Sequence, residues 1–138
     1  MNNRYVFIDT SGFLGIVDNK LELFEKISSI FEDMYNTGKK VITTDYVMDE
    51  VFTWMRCKQK LPIKDILEFG RSLRMSDVQI VGVTDEIFYD AFAVMVKYKD
   101  QYFSFTDCVS FTVMKSMKIK DVVTTDKHFA TAGFNNLI

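Results

Sequence analysis

Apolar residues along the chain form short runs that alternate with helical stripes. The short runs, rich in β-branched and aromatic residues, predict strands over residues 5–8, 40–43, 78–83 and 120–125, with a last strand from residue 134. Between them apolar residues recur every three or four positions, which predicts amphipathic helices and a short helical turn over residues 127–132. In chain order, these stripes are Leu21, Phe24, Ile27, Phe31 and Met34; Val47, Val51 and Met55; Ile63, Ile66, Leu67 and Leu73; Ile87, Phe88, Ala91, Phe92 and Met95; and Phe105, Cys108, Val109 and Met114.

Strands separated by helices, in a chain with few hairpin signals, predict an α/β fold. We expect a three-layer α/β/α architecture, with helices on both faces of a central, mainly parallel sheet of about five strands. No repeat, low-complexity segment or linker interrupts the pattern, so residues 1–138 are expected to form a single domain. In such a sheet a ligand site lies beyond the carboxyl ends of the strands, near the point where the winding order reverses.

Composition narrows the class of protein. A chain of 138 residues with 48% apolar residues can bury a full core without metal or disulfide staples. No apolar run approaches the ~20 residues of a membrane span and no signal peptide is visible, so we expect a cytoplasmic protein without membrane contact. Cys57 and Cys108 form no C-x-x-C pair, which indicates neither a disulfide framework nor a zinc site.

The net charge of −2 argues against a protein that holds nucleic acid through bulk positive charge. A polyanionic ligand would be met by local basic groups or by metal ions. Four acidic residues fall where the site is expected. Asp9 and Asp126 end predicted strands, and Glu50 and Asp107 lie near the starts of helices that follow strands.

Carboxylates that converge at one sheet edge repel one another unless a cation lies among them. Hard oxygen ligands select Mg²⁺ or Mn²⁺, and such ions activate water and polarise phosphoryl groups. The pattern therefore favours phosphodiester hydrolysis. Each acid also has a structural explanation: Ser104 and Asp107 have the spacing of a helix cap, Asp9 and Asp126 can cap the turns after them, and Glu50 can lie on a solvated face.

Four short segments share an order and spacing typical of one protein family. They are FIDTS at the first strand, DEV after the second, SFTDC at the start of a late helix, and VTTDKHF followed by AGF near the end. These segments resemble the PIN-domain ribonucleases, most closely the VapC-type toxins, over residues 6–137. The resemblance implies a metal-dependent endoribonuclease, the toxin of a toxin–antitoxin pair, in which a metal-activated water hydrolyses RNA phosphodiester bonds.

The resemblance also implies roles for individual residues. One or two Mg²⁺ or Mn²⁺ ions would be held by four catalytic acids, namely Asp9, Glu50, Asp107 and Asp126. Hydroxyl groups that orient carboxylates, hold water or contact phosphate would come from Thr10, Ser11, Thr106 and Thr124. The implied partners are an RNA substrate, a second copy of the chain in a homodimer, and an antitoxin protein.

Three weaker signals bear on substrate binding. A basic segment without acids is a possible contact to the RNA backbone, or a solvated turn between helices; its cations are Arg56, Lys58, Lys60 and Lys64. Aromatic rings and lysines interleave over residues 97–103, where the rings either stack on unpaired nucleotides or pack a loop onto the core. His128, the single histidine, is interpreted as a polar residue at a helix start without a catalytic role.

Two other functions stay open at this stage. One is a different metal-dependent phosphoryl hydrolase, although the first acid lacks the second carboxylate of an Asp-x-Asp nucleophile loop. The other is a catalytically silent PIN module that binds RNA or a protein partner. The complete set of acids argues against the silent module, because a protein without catalysis has no need to keep four repelling carboxylates.

Overall fold

The computed structural model describes residues 2–18 and 21–138 of the chain. Over these residues the elements follow one another in the order β1 (Tyr5–Ile8), α1 (Thr10–Val17), α2 (Leu21–Asn36), β2 (Lys40–Thr44), α3 (Asp45–Cys57), α4 (Ile63–Met75), β3 (Gln79–Val81), α5 (Asp85–Lys97), α6 (Phe105–Ser116), β4 (Asp121–Val123), α7 (Lys127–Thr131) and β5 (Asn135–Asn136). None of the described helices is both long and apolar enough to cross a bilayer.

The strands form one parallel sheet in the order β3-β2-β1-β4-β5. The chain moves outward from β1 to β3 on one side and then returns to place β4 on the other side of β1. Right-handed crossovers in opposite directions put α1 to α4 on one face of the sheet and α5 to α7 on the other. The predicted three-layer α/β/α fold is confirmed, and its winding order reverses between β1 and β4.

Strand β1 shows how the two faces are covered. Its residues Val6, Phe7 and Ile8 are fully buried, and side chains alternate between faces along a strand. The Phe7 ring lies 6.3 Å from the Phe129 ring of α7. Ile8 points to the opposite face, where its side chain contacts α1 at Gly12. The central strand is therefore buried on both sides, as its continuous apolar run predicts.

Helix α1 is the element that the apolar pattern does not predict. It is short and apolar and contains Gly12 and Gly15, residues of low helix propensity. Packing requires Gly12, because a Cβ there would lie 2.6 Å from the carbonyl oxygen of Val123, and it favours Gly15, where a Cβ would lie 2.5 Å from Cδ1 of Ile27 and that side chain would have to move. These close contacts seat α1 against β4 and α2, directly behind the first acid.

Two strands end earlier than predicted because side chains replace strand partners at their ends. The Val83 N–H donates to Oδ1 of Asp45 at 3.0 Å, so the strand predicted over 78–83 is reduced to Gln79–Val81. At β4 the Thr124 N–H donates to Oδ1 of Asn136 at 3.4 Å, and the strand predicted over 120–125 ends at Val123. The last strand begins at Asn135, one residue later than predicted, because the Phe134 N–H donates to the carbonyl oxygen of Phe129 at 3.0 Å.

Candidate active site

A cleft opens at the carboxyl edge of the sheet, where β1 and β4 end side by side. Ile8 pairs with Val123, and the chain leaves both strands at this level. The cleft has a volume of about 330 Å³. It is lined by Asp9, Thr10, Ser11, Leu14, Glu50, Tyr102, Ser104, Asp107, Asp126 and His128. This edge is also the point where the winding order reverses, which is where open α/β sheets bind ligands.

The structure brings the four acids named from the sequence into this one cleft. Asp9 precedes α1, Glu50 lies in the second turn of α3, Asp107 in the first turn of α6, and Asp126 precedes α7. Asp49, the acid beside Glu50, is exposed and is not among the lining residues. Neither lysine nor arginine is among the lining residues, so the cleft offers oxygen donors without a fixed counter-charge.

Asp9 is the most buried of these acids, with 4% of its surface exposed. Its Oδ2 accepts a hydrogen bond from the Thr124 hydroxyl at 3.0 Å. Burial raises the pKa of Asp9 to about 7, and the charges of Asp107 and Asp126 add to the rise, whereas the Thr10 N–H and the Thr124 hydroxyl oppose it. Without a cation in the cleft, Asp9 therefore holds its proton up to neutral pH.

Hydroxyl groups connect Asp9 to the end of β4. Since the Thr124 proton points to Asp9, the Ser11 hydroxyl donates to Oγ1 of Thr124 at 3.0 Å. The N–H of Asp126 also donates to that Oγ1, at 2.9 Å, and the N–H of Thr125 donates to the Ser11 oxygen at 2.8 Å. Thr124 and Ser11 thus fix both Asp9 and the turn that carries Asp126.

Of the two other predicted hydroxyl residues, Thr10 lines the cleft and Thr106 does not. The Thr10 hydroxyl donates to Oε1 of Glu50 at 2.6 Å, a short distance typical of a bond to a carboxylate. This bond ties the start of α1 to α3 across the cleft. Thr106 is half-buried and does not line the cleft, so the structure places it outside the group formed by the other predicted hydroxyl residues.

Asp107 serves as a helix cap and also faces the cleft. Ser104 and Asp107 form a capping box, in which the Asp107 N–H donates to Oγ of Ser104 at 3.0 Å and the Ser104 N–H donates to Oδ2 of Asp107 at 3.4 Å. Burial raises the pKa of Asp107, the hydrogen bond from His128 lowers it, and the charge of Asp126 raises it. The structural and functional interpretations of this acid are therefore compatible.

His128 is the site residue that sequence reasoning missed. Its Nδ1 lies 3.0 Å from Oδ2 of Asp107 and 3.4 Å from Oδ1 of Asp126. In the part of the chain that the structure describes, these three residues form a group whose potential ligand atoms all lie within 4.8 Å of one another. The only sequence signal was the position of the histidine two residues after an acid, because Asp107 is 21 residues away.

Among the rings of residues 97–103, Tyr102 alone lines the cleft. Its side chain is 97% exposed, whereas Phe103 is buried against Phe111 with ring centroids 5.2 Å apart. Tyr98 is half-buried, and the amino groups of Lys97 and Lys115 each lie 5.4 Å from the centre of its ring. The loop thus packs two rings onto the protein and presents the third to solvent at the edge of the cleft.

The basic segment lies beside the cleft and does not enter it. Its four cations are exposed and none is among the lining residues. Arg56 follows Glu50 by six residues on α3, a separation of about 9 Å along the helix axis. Six residues also turn the helix by about 240° net, so Arg56 and Glu50 point to different sides of α3. Lys60 adopts a positive φ of 53° in the turn before α4.

Residues 6–135, which make up nearly the whole chain, match the PIN domain family. The chain belongs to the PIN domain family. This PIN domain is similar to the VapC ribonuclease of Aquifex aeolicus. The two are 24% identical over 135 residues, which cover 94% of this chain and 93% of the relative. The 23S rRNA-specific endonuclease VapC20 of Mycobacterium tuberculosis is 28% identical over 97 residues, covering 68% of this chain and 70% of the relative.

A solved structure shares the fold. The crystal structure of Mycobacterium tuberculosis VapC20, titled a Sarcin-Ricin loop cleaving toxin, superposes with a TM-score of 0.78. The match covers 94% of this PIN domain and 96% of that chain, at 22% sequence identity. At this identity the likeness establishes the architecture, and the chemistry of the present cleft has to be argued from its own residues.

Proposed function

We propose that this PIN domain protein is a metal-dependent endoribonuclease that acts as the toxin of a toxin–antitoxin pair. The observation that carries the proposal is the convergence of four carboxylates in one cleft that has no lysine or arginine among its lining residues. Repulsion among such groups is costly and is relieved by a divalent cation. Similarity to proteins named as a VapC ribonuclease and as an rRNA-specific endonuclease supports RNA as the substrate.

The donor set fits a hard cation, because the four acids offer only carboxylate oxygens. Asp9, Glu50, Asp107 and Asp126 would hold one or two Mg²⁺ or Mn²⁺ ions. When bound, such an ion supplies a Lewis acid that polarises a phosphodiester and lowers the pKa of water. No side chain is needed as the nucleophile. The task of the protein is to hold the carboxylates in place and to position the RNA.

Contacts within the cleft show how the carboxylates are held. Thr124 donates to Asp9, and Thr10 donates to Glu50, so each of these acids keeps one oxygen tied to a hydroxyl. Hydrogen bonds of this kind fix the orientation of a ligand and raise its affinity for the ion. The Thr124 link spans β1 and β4 and the Thr10 link spans α1 and α3, which couples the site to rigid elements of the fold.

Recognition of RNA would rest on groups at the border of the cleft. Tyr102 presents a ring on which an unpaired base can stack, an interaction that tolerates any base. The basic segment at the end of α3 and in the turn after it would contact phosphates outside the reacting bond. Since the net charge of the chain is −2, these local contacts replace an extended positive surface. This arrangement suits a structured RNA that offers an unpaired loop.

Two apolar surfaces are available for the proposed antitoxin and for a second copy of the chain. The first is a cavity of about 360 Å³ between α1, α2 and α4, which we call the apolar cavity. Its lining includes Phe13, Ile16, Phe31, Met34, Tyr35, Phe69 and Leu73. The second is a row of exposed residues on α5, namely Tyr89, Phe92 and Val96. Apolar surface of this kind is typical of protein contacts, and a cytoplasmic homodimer is our proposal for the toxin.

The proposal is tested by cleavage of a panel of structured RNAs with purified protein in Mg²⁺ or Mn²⁺. We expect cutting that is lost in EDTA and lost in the Asp9→Asn variant. Cutting that persists in both controls would refute the metal-dependent site. If no RNA is cut although Mn²⁺ binds, RNA hydrolysis is wrong and another phosphoryl substrate must be sought. If Mn²⁺ does not bind at all, the silent module is the better description.

A further inference from the structure

We propose that His128 is a positioning residue that orients Asp107 and Asp126 for a divalent cation. The inference rests on the proposed metal-dependent function and goes beyond it, since it assigns a task to a residue outside the four acids. His128 contacts both carboxylates, and it does so with two different groups. The imidazole reaches Asp107, and the main-chain N–H of the same residue reaches Asp126.

The two contacts engage one oxygen of each acid. Nδ1 of His128 donates to Oδ2 of Asp107 at 3.0 Å, because an ionised carboxylate only accepts hydrogen bonds. The His128 N–H donates to Oδ1 of Asp126 at 2.9 Å. In the described residues no hydrogen bond reaches Oδ1 of Asp107 or Oδ2 of Asp126. One oxygen of each carboxylate is thus held by His128, and the other is left for an ion.

Packing fixes the imidazole in this position. The ring lies 4.9 Å from the ring of Phe103, at an angle of 55°. Phe103 is itself buried and packs edge-on against Phe111, a core residue of α6. Because α6 also carries Asp107, the histidine is held by the same helix whose acid it orients. The His128 side chain is 40% exposed, and contact with Phe103 on one side and with the Asp107 carboxylate at Nδ1 favours the observed orientation of the ring.

Repulsion between the acids explains why such a residue is needed. The charge of Asp126 raises the pKa of Asp107, whereas the hydrogen bond from His128 lowers it. Without the imidazole, Oδ2 of Asp107 would keep only the longer hydrogen bond from the Ser104 N–H at 3.4 Å, and repulsion from Asp126 would turn the Asp107 carboxylate away. The main-chain N–H of residue 128 would still hold Asp126. Metal ligands are ordinarily oriented by hydrogen bonds of this kind, and loss of one weakens metal binding by about 10- to 100-fold.

The test uses three substitutions that separate the two ring nitrogens. His128→Asn keeps a donor near the position of Nδ1, His128→Gln places its donor near Nε2, and His128→Ala removes both. Affinity for Mn²⁺ is measured by calorimetry on protein without RNA, with thermal unfolding in EDTA as the check of folding. Lys127→Ala, an exposed neighbour on α7 outside the cleft, is the matched control.

We expect His128→Ala and His128→Gln to weaken Mn²⁺ binding by about 10- to 100-fold, and His128→Asn to recover most of the loss. The Lys127 control should bind as the wild type does. In cleavage assays the loss should be overcome by excess Mn²⁺ without a change in the KM for RNA. Equal Mn²⁺ affinity in all variants would overturn the inference.

Two other results would overturn it in favour of different roles. If His128→Asn is as defective as His128→Ala and the loss is larger for Mn²⁺ than for Mg²⁺, the imidazole is itself a ligand, because nitrogen donors favour Mn²⁺. If Mn²⁺ affinity is unchanged and only the KM for RNA rises, His128 contacts the substrate. A failure of the proposed ribonuclease function would give a different result. The wild-type protein would bind Mn²⁺, this binding would depend on His128 as expected, and no RNA would be cut.

Discussion

Two of the hollows on the protein, the acid cleft of about 330 Å³ and the apolar cavity of about 360 Å³, have nearly equal volumes and opposite linings. The apolar cavity is formed by helices α1, α2 and α4 and is lined mainly by aromatic and aliphatic side chains. The acid cleft gathers carboxylates from four separate segments at the end of the sheet. One exposes apolar surface to water and the other concentrates like charge.

Volume therefore does not distinguish a catalytic site from a surface for protein contact. The kind of unfavourable interaction in the hollow does. Apolar surface exposed to water is relieved by another apolar surface. Buried and converging carboxylates are relieved by a cation or by a proton: burial is the main cause of the raised pKa of Asp9, and the charges of Asp107 and Asp126 add to it. Substitutions in the two hollows should accordingly separate activity from stability.

The largest expected effect is that of Asp9→Asn. The change keeps the shape of the side chain and removes the most buried carboxylate, so we expect cleavage to fall at least ~10³-fold while thermal stability in EDTA is retained or increased. The counterpart in the apolar cavity is Leu73→Ala, which should lower the unfolding free energy by about 1–3 kcal/mol and leave the metal dependence of cleavage intact. Rates and melting curves of both variants are the measurement. Cleavage by Asp9→Asn at the wild-type rate would contradict the assignment.

The next effect compares two adjacent acids on α3. Both side chains are exposed, but only Glu50 lines the cleft and accepts a hydrogen bond from Thr10. Glu50→Gln should therefore weaken Mn²⁺ binding and lower the cleavage rate by ~10²-fold or more, and Asp49→Asn should change neither. Both substitutions remove one negative charge, so a general effect of charge would appear equally in the two proteins. Equal losses would show that the wrong acid has been placed in the site.

The pH dependence of stability should also report on the cleft. The pKa of Asp9 is about 7 in the folded protein and 3.8 in the unfolded chain, so between these values only the folded protein holds the proton. The unfolding free energy contributed by this group is full below pH 4 and is lost as pH rises to about 7, at up to ~1.4 kcal/mol per pH unit. Urea unfolding in EDTA should show that Asp9→Asn gains stability relative to the wild type over this range.

Saturating Mn²⁺ provides the control for that measurement. Binding requires the deprotonated carboxylate, so wild-type protein should gain stability from Mn²⁺ more strongly as the pH rises. Asp9→Asn should show little of this gain. Identical pH curves for the two proteins, with and without Mn²⁺, would mean that Asp9 carries no shifted pKa.

The two hollows also differ in how far they can be predicted from sequence. The placement of Asp9 and Asp126 follows from the ends of two apolar runs and from parallel strands sharing one carboxyl edge, so the acid edge is predictable. Helix α1 is not predictable, because its two glycines lower the helix propensity of the segment. Their packing against Val123 and Ile27 becomes evident only in the folded structure. Contacts between segments distant in the chain leave no periodic signal.

The role of His128 cannot be predicted from the sequence, again because it depends on contacts between distant segments. Its position next to a helix start is evident from the sequence, but its role depends on Asp107 and on Phe103, which lie in a different helix and in the loop before it. Tyr102 shows the same limit at the level of one loop. The alternation of rings and lysines gives no indication of which ring is buried, and only packing against the core separates Tyr102 from Phe103.

The smallest effect concerns two exposed tyrosines, one at each hollow. Tyr102 is 97% exposed at the acid cleft, and Tyr35 is 86% exposed at the apolar cavity. A base stacked on an aromatic ring contributes about 1–3 kcal/mol, so Tyr102→Ala should raise the KM for RNA by roughly 5- to 150-fold, with kcat and Mn²⁺ affinity retained. Tyr102→Trp should restore the KM, and Tyr35→Ala should leave it unchanged, because Tyr35 lines the apolar cavity and not the acid cleft where we propose that RNA binds. A rise in KM for both alanine variants would instead mean that the RNA covers the helical face, and the division of the molecule into a catalytic hollow and a protein-binding hollow would be lost.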